Sequence, residues 1–243
     1  ELSKMTFRLR EQAEALTRDK LLLIDSTADI SHQLRTPLTS MNLILSRLEE
    51  PNLDAGQRLR LVKDAERLVS RIDWLVSSLL KISKLDADTV TFKKEPVLLT
   101  KIAAQGSDPL LVPMELRQQN FIVKIEEGAS FKGDLAWTTE ALGNILKNCM
   151  EHTPVGGTIL VKGSENPLFT EITVSDTGNG IASEDLPHLF ERFYKGKNAS
   201  EQSVGIGLAL SRMIVVKQNG TIKAENIPSG GAKFTIRFYK GAV

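Results

Sequence analysis

The sequence predicts a multidomain α and α+β chain, in which a helical hairpin that dimerises into a four-helix bundle is followed by an α/β sandwich domain. Apolar residues recur in steps of three and four over residues 30–48 and 61–82, which is typical of paired helices. After residue 88 the pattern changes to short strand-forming runs between two helical stretches. The 243 residues have room for a small domain beside a medium one.

Three helices are predicted in the first part. The first has apolar residues at heptad spacing, namely Leu2, Met5, Leu9, Leu16 and Leu23. This spacing favours a coiled-coil helix over residues 1–25. The stripes of the next two helices are Ile30, Leu34, Leu38, Met41, Leu45 and Leu48, and then Leu61, Ala65, Leu68, Ile72, Leu75, Leu79 and Ile82. Pro51 and Asn52 mark the turn of the hairpin, and seams this apolar favour burial in a dimer.

The second part, residues 89–243, has the pattern of a mixed α and β domain. Its predicted strands lie at residues 90–92, 121–125, 158–161, 171–175 and 233–238. Helical periodicity returns at residues 135–151 and 207–218. We expect the boundary between the two parts to lie between Asp86 and Lys94.

Composition argues against several functional classes. The 31 basic residues balance 30 acidic ones, so the net charge of +1 predicts no nucleic-acid surface. Cys149 is the single cysteine, which leaves no internal disulfide and no spacing typical of a zinc site. No apolar run approaches the roughly 20 residues that a membrane helix needs. The chain begins at Glu1, and we expect it to be a fragment whose upstream part is missing.

The segment Ser31–Thr39, Ser-His-Gln-Leu-Arg-Thr-Pro-Leu-Thr, places a histidine near a proline within a predicted helix. His32 lies off the apolar stripe and is expected to face solvent, where an imidazole is a potential nucleophile. Pro37 has no amide donor and its ring crowds the carbonyl of Gln33, so we expect the helix to bend there. Thr36 lies one turn beyond His32 on the same face. Most exposed helical histidines have no catalytic role, so the residues alone leave both interpretations open.

This segment resembles the phosphoacceptor box of sensor histidine kinases from bacterial two-component systems, whose helical-hairpin dimerisation domain is similar to residues 26–88. The resemblance implies that ATP phosphorylates His32, which then donates the phosphoryl group to an aspartate in the receiver domain of a response regulator. It also implies that Thr36 helps to position water when phosphate is removed from the regulator. The family usually has a carboxylate where this chain has Gln33. An amide cannot accept the imidazole proton as a base, although its oxygen can orient the ring.

Three further segments indicate a nucleotide site without a P-loop, since the sequence lacks the motif Gly-x-x-x-x-Gly-Lys-Ser/Thr. Asn144, Asn148 and Glu151 lie near one face of a predicted helix, where amide oxygens can reach a hydrated metal ion held by phosphates. The segment 176–181, Asp-Thr-Gly-Asn-Gly-Ile, follows a strand and combines a carboxylate with glycines that permit close backbone approach. The segment 203–208, Ser-Val-Gly-Ile-Gly-Leu, opens a helix whose free amides can bind phosphate.

Together with Phe-Glu-Arg-Phe-Tyr at residues 190–194, these segments resemble the nucleotide-binding domain shared by histidine kinases, gyrase B subunits, MutL proteins and related chaperones. The resemblance implies that Asn148 coordinates Mg²⁺ and that Asp176 bonds the adenine amino group. It further implies ATP contacts from Asn144, His152, Gly178, Gly180, Ile181, Arg192, Lys195, Lys197, Gly205, Gly207 and Leu208. The stretch from Tyr194 to Val204 would be a mobile lid, although a solvated loop is the alternative for Arg192, Lys195 and Lys197.

Two departures from the family pattern are Ser203, which replaces a glycine, and Glu151, which replaces a lysine; we expect ATP binding to persist. The implied partners are a second copy of the chain and a response regulator, with no nucleic acid. Membrane contact would come only through an upstream segment absent from this chain, which makes the chain the cytoplasmic portion of a cell-membrane protein. Signals would enter through residues 1–25. A catalytically weakened scaffold, a phosphatase-dominant protein and an ATP-driven clamp stay open as alternatives.

Overall fold

The computed structural model describes residue 28 and residues 30–197 and 203–241 of the 243 residues. Contacts divide the chain into two units, Glu1–Ser77 and Ser78–Val243. The predicted coiled-coil helix at residues 1–25 lies outside the described residues.

The described part of the first unit, residues 28 and 30–77, contains two helices. Helix α1 is described over residues 30–48, and helix α2 spans Ala55–Asp86, of which the last turns belong to the second unit. A reciprocal cap closes the start of α2, because the Gln57 amide donates to Asp54 Oδ1 at 2.7 Å and the Asp54 amide donates to Gln57 Oε1 at 3.2 Å. This capping box satisfies amides that a helix start otherwise leaves without partners. The helix–turn–helix order confirms the prediction of two helices joined by a short turn.

Apolar side chains stay exposed on both helices of the first unit. Leu61 and Leu75, which belong to the predicted seam of α2, are buried. The exposed apolar side chains of α1 and of this part of α2 are Leu38, Leu43, Leu45, Leu59, Val62, Val69 and Val76. Burying apolar surface is favourable by about 25 cal/mol per Å². The exposed faces of the two helices therefore favour association with another apolar surface.

The second unit is an α/β sandwich. Its strands are β1 (Glu95–Leu98), β2 (Asn120–Ile125), β3 (Ser130–Gly133), β4 (Thr158–Glu165), β5 (Phe169–Asp176), β6 (Gly220–Asn226) and β7 (Ala232–Tyr239). Its helices are α3 (Leu99–Ser107), α4 (Leu111–Leu116), α5 (Leu135–His152) and α6 (Gly207–Lys217), with a 3₁₀ turn at Asp108–Leu110. The five-stranded sheet has the order β2-β4-β5-β7-β6, in which β2 is parallel to β4 and the other pairs are antiparallel. Strands β1 and β3 form a separate antiparallel pair.

Helices α5 and α6 pack against each other and contact the five-stranded sheet. Val161, Val174 and Phe234 are register partners across β4, β5 and β7, and each is at most 1% exposed. Leu142 and Ile145 of α5 are fully buried as well. Alternate strand residues face one side of a sheet, so this row belongs to a single core layer. The ends of β5, α5 and α6 are consequently held by packed apolar residues.

The prediction of a strand at residues 90–92 is wrong. Residues 89–94 form neither helix nor strand in this described part of the chain. The ring of Phe92 instead packs on Trp137 with a centroid distance of 5.6 Å, and the Lys93 amide donates to Asp134 Oδ2 at 3.1 Å. The backbone of this segment thus bonds a side chain and not a neighbouring strand. The strand predictions at β2, β4, β5 and β7 and the helix predictions at α5 and α6 are confirmed.

Candidate functional site

The predicted phosphoacceptor residue lies exposed on helix α1. His32 and Thr36 are exposed, Gln33 is partly buried and Pro37 is buried. The Thr36 hydroxyl donates to the His32 carbonyl oxygen at 3.3 Å. Residues 30–48 are helical throughout, including Pro37, so the bend expected at this proline stays a prediction. The solvent-facing position expected for His32 is confirmed.

Helix α5, which contains the predicted asparagine face, is fixed at both ends by side chains. At its start the Trp137 amide donates to the capping residue Asp134, at 3.2 Å from Oδ1. At its end Gln119 Nε2 donates to the carbonyl oxygens of Met150 and Thr153 at 3.0 and 2.7 Å. These bonds satisfy groups that helix ends leave open. The position of the asparagine face is therefore set by residues outside α5 as well as by the core.

The asparagine face of α5 lies against the start of α6. An ideal Cβ built on Gly207 would lie 3.6 Å from the Asn144 side chain. Asn144 Nδ2 is buried and has no hydrogen-bond partner among the described residues. A buried amide without a partner costs free energy, which a ligand acceptor would recover. Asn148 is partly buried one turn further along α5, so these two asparagines and Gly207 belong to one region.

Glu151 and His152 occupy the last turn of α5. The Glu151 carboxylate lies 3.9 Å from Lys147 Nζ, one helical turn away. Lys147 therefore partly offsets the negative charge of Glu151, which stands where the family pattern has a lysine. The His152 side chain is exposed, whereas its carbonyl oxygen lies under the glycine loop that follows β5.

Asp176, the last residue of β5, is 4% exposed. Its Oδ1 accepts from the amides of Gly178 at 2.8 Å and Ala232 at 3.2 Å. Burial, followed by the charge and hydrogen bonding of Asp176, raises the pKa of the Cys149 thiol well above its usual value. The thiol therefore stays protonated beside the carboxylate. The two amide donors hold Asp176 in one orientation at the end of β5.

The loop that follows Asp176 is held by close packing and by a residue of β6. An ideal Cβ on Gly178 would lie 2.5 Å from the His152 carbonyl oxygen, so only glycine fits at this position without a shift. The Ile181 amide donates to Asn226 Oδ1 at 2.7 Å, and Asn226 Nδ2 donates back to the Ile181 carbonyl at 2.7 Å. Gly180 lies against the same Asn226 side chain. Sequence reasoning missed Asn226, because nothing near it in the chain indicates a contact 45 residues away.

The start of α6 presents backbone amides without a side-chain cap. The N-cap residue is Ile206, and its side chain makes no capping hydrogen bond to this 11-residue helix. Gly205, with φ of 74°, accepts at its carbonyl from the Phe193 amide at 2.9 Å. Leu208, on the first turn, is partly buried. Free amides at a helix start together with the helix dipole attract anions such as phosphate.

Arg192 and Lys197, which are predicted phosphate contacts, bind carboxylates in this structure. Arg192 Nη2 donates to Asp86 Oδ1 at 2.6 Å, and Lys197 Nζ pairs with Glu184 at 2.5 Å. Lys195 is exposed. The phosphate contacts of these basic side chains therefore stay predictions. The lid predicted from Tyr194 to Val204 is described only at its two ends, since residues 198–202 lie outside the described ranges.

Residues 30–197 and 203–241 contain neither a cluster of metal-binding side chains nor a helix able to span a membrane. In those ranges no group of three histidine, cysteine or acidic side chains is placed to hold a metal ion. The helices in the same ranges are all too short or too polar to cross a membrane.

Comparisons with known proteins agree with this geometry. Residues 23–88 match the model of the His Kinase A (phospho-acceptor) domain, and residues 133–241 match that of the histidine kinase-, DNA gyrase B- and HSP90-like ATPase. The sensor histidine kinase YclK of Bacillus subtilis is 28% identical over 97% of this chain and 50% of its own length. The sensor protein ChvG of Rhizobium meliloti is 30% identical over 99% of this chain and 44% of its own length.

A solved structure shows the same fold. The histidine kinase ThkA, in a complex with the response regulator protein TrrA, aligns with a TM-score of 0.73 at 19% identity, over 92% of this chain and 64% of that chain. The chain spans about half the length of the curated relatives that it matches. The phospho-acceptor model matches the first part of the chain, which has the exposed histidine, and the ATPase model matches the second part. These two matches show that the chain belongs to the sensor histidine kinase family.

Proposed function

We propose that this chain uses ATP to phosphorylate His32 and then transfers the phosphoryl group to an aspartate in the receiver domain of a response regulator. One observation supports this most directly. The buried Asp176 carboxylate and the uncapped start of α6 both border helix α5, where the Asn144 amide nitrogen has no partner among the described residues. The same chain also carries the exposed His32, in the segment that resembles a phosphoacceptor box.

The adenine end of ATP is proposed to bind at Asp176. A buried carboxylate is a strong acceptor for an exocyclic amino group, and its existing donors keep it in place. Gly178 and Gly180 let the loop beside Asp176 pack closely on the end of α5 and on Asn226, because a side chain at either position would meet those atoms. His152 and Ile181 flank this glycine loop.

The phosphates are proposed to bind at the start of α6, on the amides near Gly207 and Leu208, with Gly205 giving the backbone its turn. Asn148, with Asn144 one turn earlier, has the amide oxygen that suits Mg²⁺. When bound, the metal ion would neutralise phosphate charge as it develops in the transfer. Lys195, Lys197 and Arg192 are candidates for further phosphate contacts once they exchange their present partners.

At the phosphoacceptor, an imidazole nitrogen of His32 attacks the γ-phosphorus, a nitrogen–phosphorus bond forms and the bond to the β-γ bridging oxygen breaks to release ADP. The imidazole must lose a proton during transfer. Gln33 cannot take that proton as a base, so solvent or a weaker base takes it. Thr36 is proposed to position water for removal of phosphate from the regulator. This phosphatase activity would be a second activity of the same segment.

The proposed domains are a signal-transmitting helix at residues 1–25, a dimerisation and phosphotransfer domain at 26–88 and an ATP-binding domain at 89–243. The exposed apolar side chains on α1 and α2 support a homodimer. The complex of ThkA with TrrA supports a response regulator as partner. The relatives are named sensors and are about twice as long as this chain, which supports a cytoplasmic portion of a cell-membrane protein.

The test is incubation of the purified chain with ATP labelled at the γ-phosphate. We expect an acid-labile label that is lost in His32→Ala and kept in His188→Ala, a matched change of another exposed histidine. Absence of label in the unaltered chain would favour the scaffold. Steady ATP hydrolysis without labelled protein would favour the clamp.

A further inference from the structure

A buried carboxylate, Asp185, lies in the turns between the glycine loop and the Phe-Glu-Arg-Phe-Tyr segment. It is 7% exposed, and none of the nucleotide-binding segments includes it. Burying a carboxylate is costly unless hydrogen-bond donors surround it. The donors that Asp185 receives therefore indicate what it holds in place.

Both oxygens of Asp185 bind the same short segment. The Tyr194 hydroxyl donates to Oδ1 at 2.7 Å, and the Lys197 backbone amide donates to Oδ2 at 3.2 Å. An ideal Cβ on Gly196, between those two residues, would lie 2.6 Å from Oδ2. Residues 194–197 thus curl around one carboxylate, with no space between the backbone and the acid.

The segment that Asp185 holds also abuts the entry to α6. The Phe193 amide donates to the Gly205 carbonyl at 2.9 Å, and an ideal Cβ on Gly205 would lie 2.7 Å from the Phe193 carbonyl carbon. Gly205 stands two residues before the start of α6 at Gly207. Contacts therefore connect Asp185 to Tyr194, and the adjacent Phe193 to Gly205 at the entry to α6.

We propose that Asp185 is a positioning residue for the nucleotide phosphates, which fixes residues 193–197 against Gly205 and so holds the amides of α6 where phosphate binds. This inference rests on the proposed function, in which the second unit binds ATP with its phosphates at α6. Asp185 acts through Tyr194 and the Lys197 amide and does not itself touch the nucleotide, since a carboxylate beside phosphates would repel them.

The state of the tyrosine fits this role. The hydrogen bond to Asp185, together with burial and the neighbouring acidic side chains, raises the pKa of Tyr194 to about 12. The phenol therefore remains a donor throughout the physiological pH range, and the contact does not switch with pH.

The test compares ATP with adenosine, which has the base and ribose but no phosphates. Asp185→Asn keeps the size of the side chain. Its amide nitrogen is a donor, however, and would face a donor group that a carboxylate oxygen of Asp185 accepts from. We expect this variant to raise the Kd of ATP roughly tenfold, because a charge-assisted hydrogen bond is lost, and to leave the Kd of adenosine within about twofold. Calorimetry in Mg²⁺ buffer gives the Kd of ATP, and competition against bound ATP gives the Kd of adenosine.

Tyr194→Phe removes a single oxygen and should raise the Kd of ATP in the same direction. The Kd of ATP for the double variant should stay within about twofold of the Kd for Asp185→Asn, because both changes break the same contact. Glu115→Gln is the matched control. Glu115 is an exposed acid on α4, outside the segments proposed to bind nucleotide, and its loss should change the Kd of ATP by less than about twofold.

Equal weakening of ATP and adenosine by Asp185→Asn would overturn the inference in favour of a general structural role, and so would unchanged ATP binding in both single variants. If the unaltered chain bound no ATP, the proposed function would fail together with the inference. Normal ATP binding by the unaltered chain and by the variants would refute the inference alone.

Discussion

The contact between Gly178 and the end of α5 predicts a measurable cost for a single methyl group. In Gly178→Ala the new Cβ would lie 2.5 Å from the His152 carbonyl oxygen, whereas real Cβ atoms essentially never come closer than 3.0 Å. The backbone must therefore move by at least the difference, 3.0 − 2.5 = 0.5 Å. The Cβ would also lie 2.9 Å from Asp176 Oδ1, so the shift acts on the carboxylate proposed to bind adenine.

Overpacking of this kind costs about 2 kcal/mol. For a unit of this size we expect the Tm to fall by about 6 °C and ATP binding to weaken. Gly207→Ala is the matched stability control, because its new Cβ would meet Asn144 at an ordinary 3.6 Å. Thermal denaturation and nucleotide titration of both variants are the measurements. If Gly178→Ala melted and bound ATP like the unaltered chain, the argument from close packing would be refuted.

Three other predictions follow from the same structure. Burial raises the pKa of the Cys149 thiol, so iodoacetamide at about pH 8 should label native protein at least about 100-fold more slowly than urea-unfolded protein; equal rates would contradict this. The hydrogen bond and ion pair with Lys240 lower the pKa of Glu165 in the folded protein. The ionised Glu165 carboxylate therefore stabilises the fold at pH values above the pKa of Glu165 in the unfolded chain, and this stabilisation is lost as the pH falls through the folded pKa. Glu165→Gln should accordingly lower the Tm at about pH 7 and have no effect near about pH 2, which melting curves at the two pH values check. Gln33→Glu should raise the autophosphorylation rate and alter its pH profile, and an unchanged rate and profile would show that Gln33 does not limit the chemistry.

The sequence predicts the long, strongly periodic elements of this fold well. The seam from Leu61 to Ile82 lies within one helix, and the alternation at residues 158–161 and 171–175 lies within strands β4 and β5. Short elements had no such signal. Strand β1 has four residues, including a proline, and β3 has four residues with a terminal glycine, so neither shows a repeat of apolar positions. The strand-forming residues at 90–92 predicted a strand, but the ring of Phe92 packs on Trp137 of α5.

The candidate site divides in the same way. Asp176, Gly178 and Gly207 are visible in the sequence because their motifs are local and ordered. Asn226 and Asp185 are not, because their hydrogen bonds depend on which distant segments the sheet and the turns bring together. An asparagine at a strand end and an acid in a turn have many ordinary explanations, and only the folded chain shows what each holds.

The hydrogen bonds that fix the glycine loop also have a consequence for synthesis on the ribosome. Asp176 and Ile181 depend on Ala232 and Asn226, which are residues of the last two strands of the sheet. A nascent chain that has emerged only as far as α6 has every segment proposed to bind nucleotide but lacks the hydrogen-bond partners of Asp176 and Ile181 on β6 and β7. The proposed adenine side of the site therefore stays incomplete until these two strands have left the ribosome and paired.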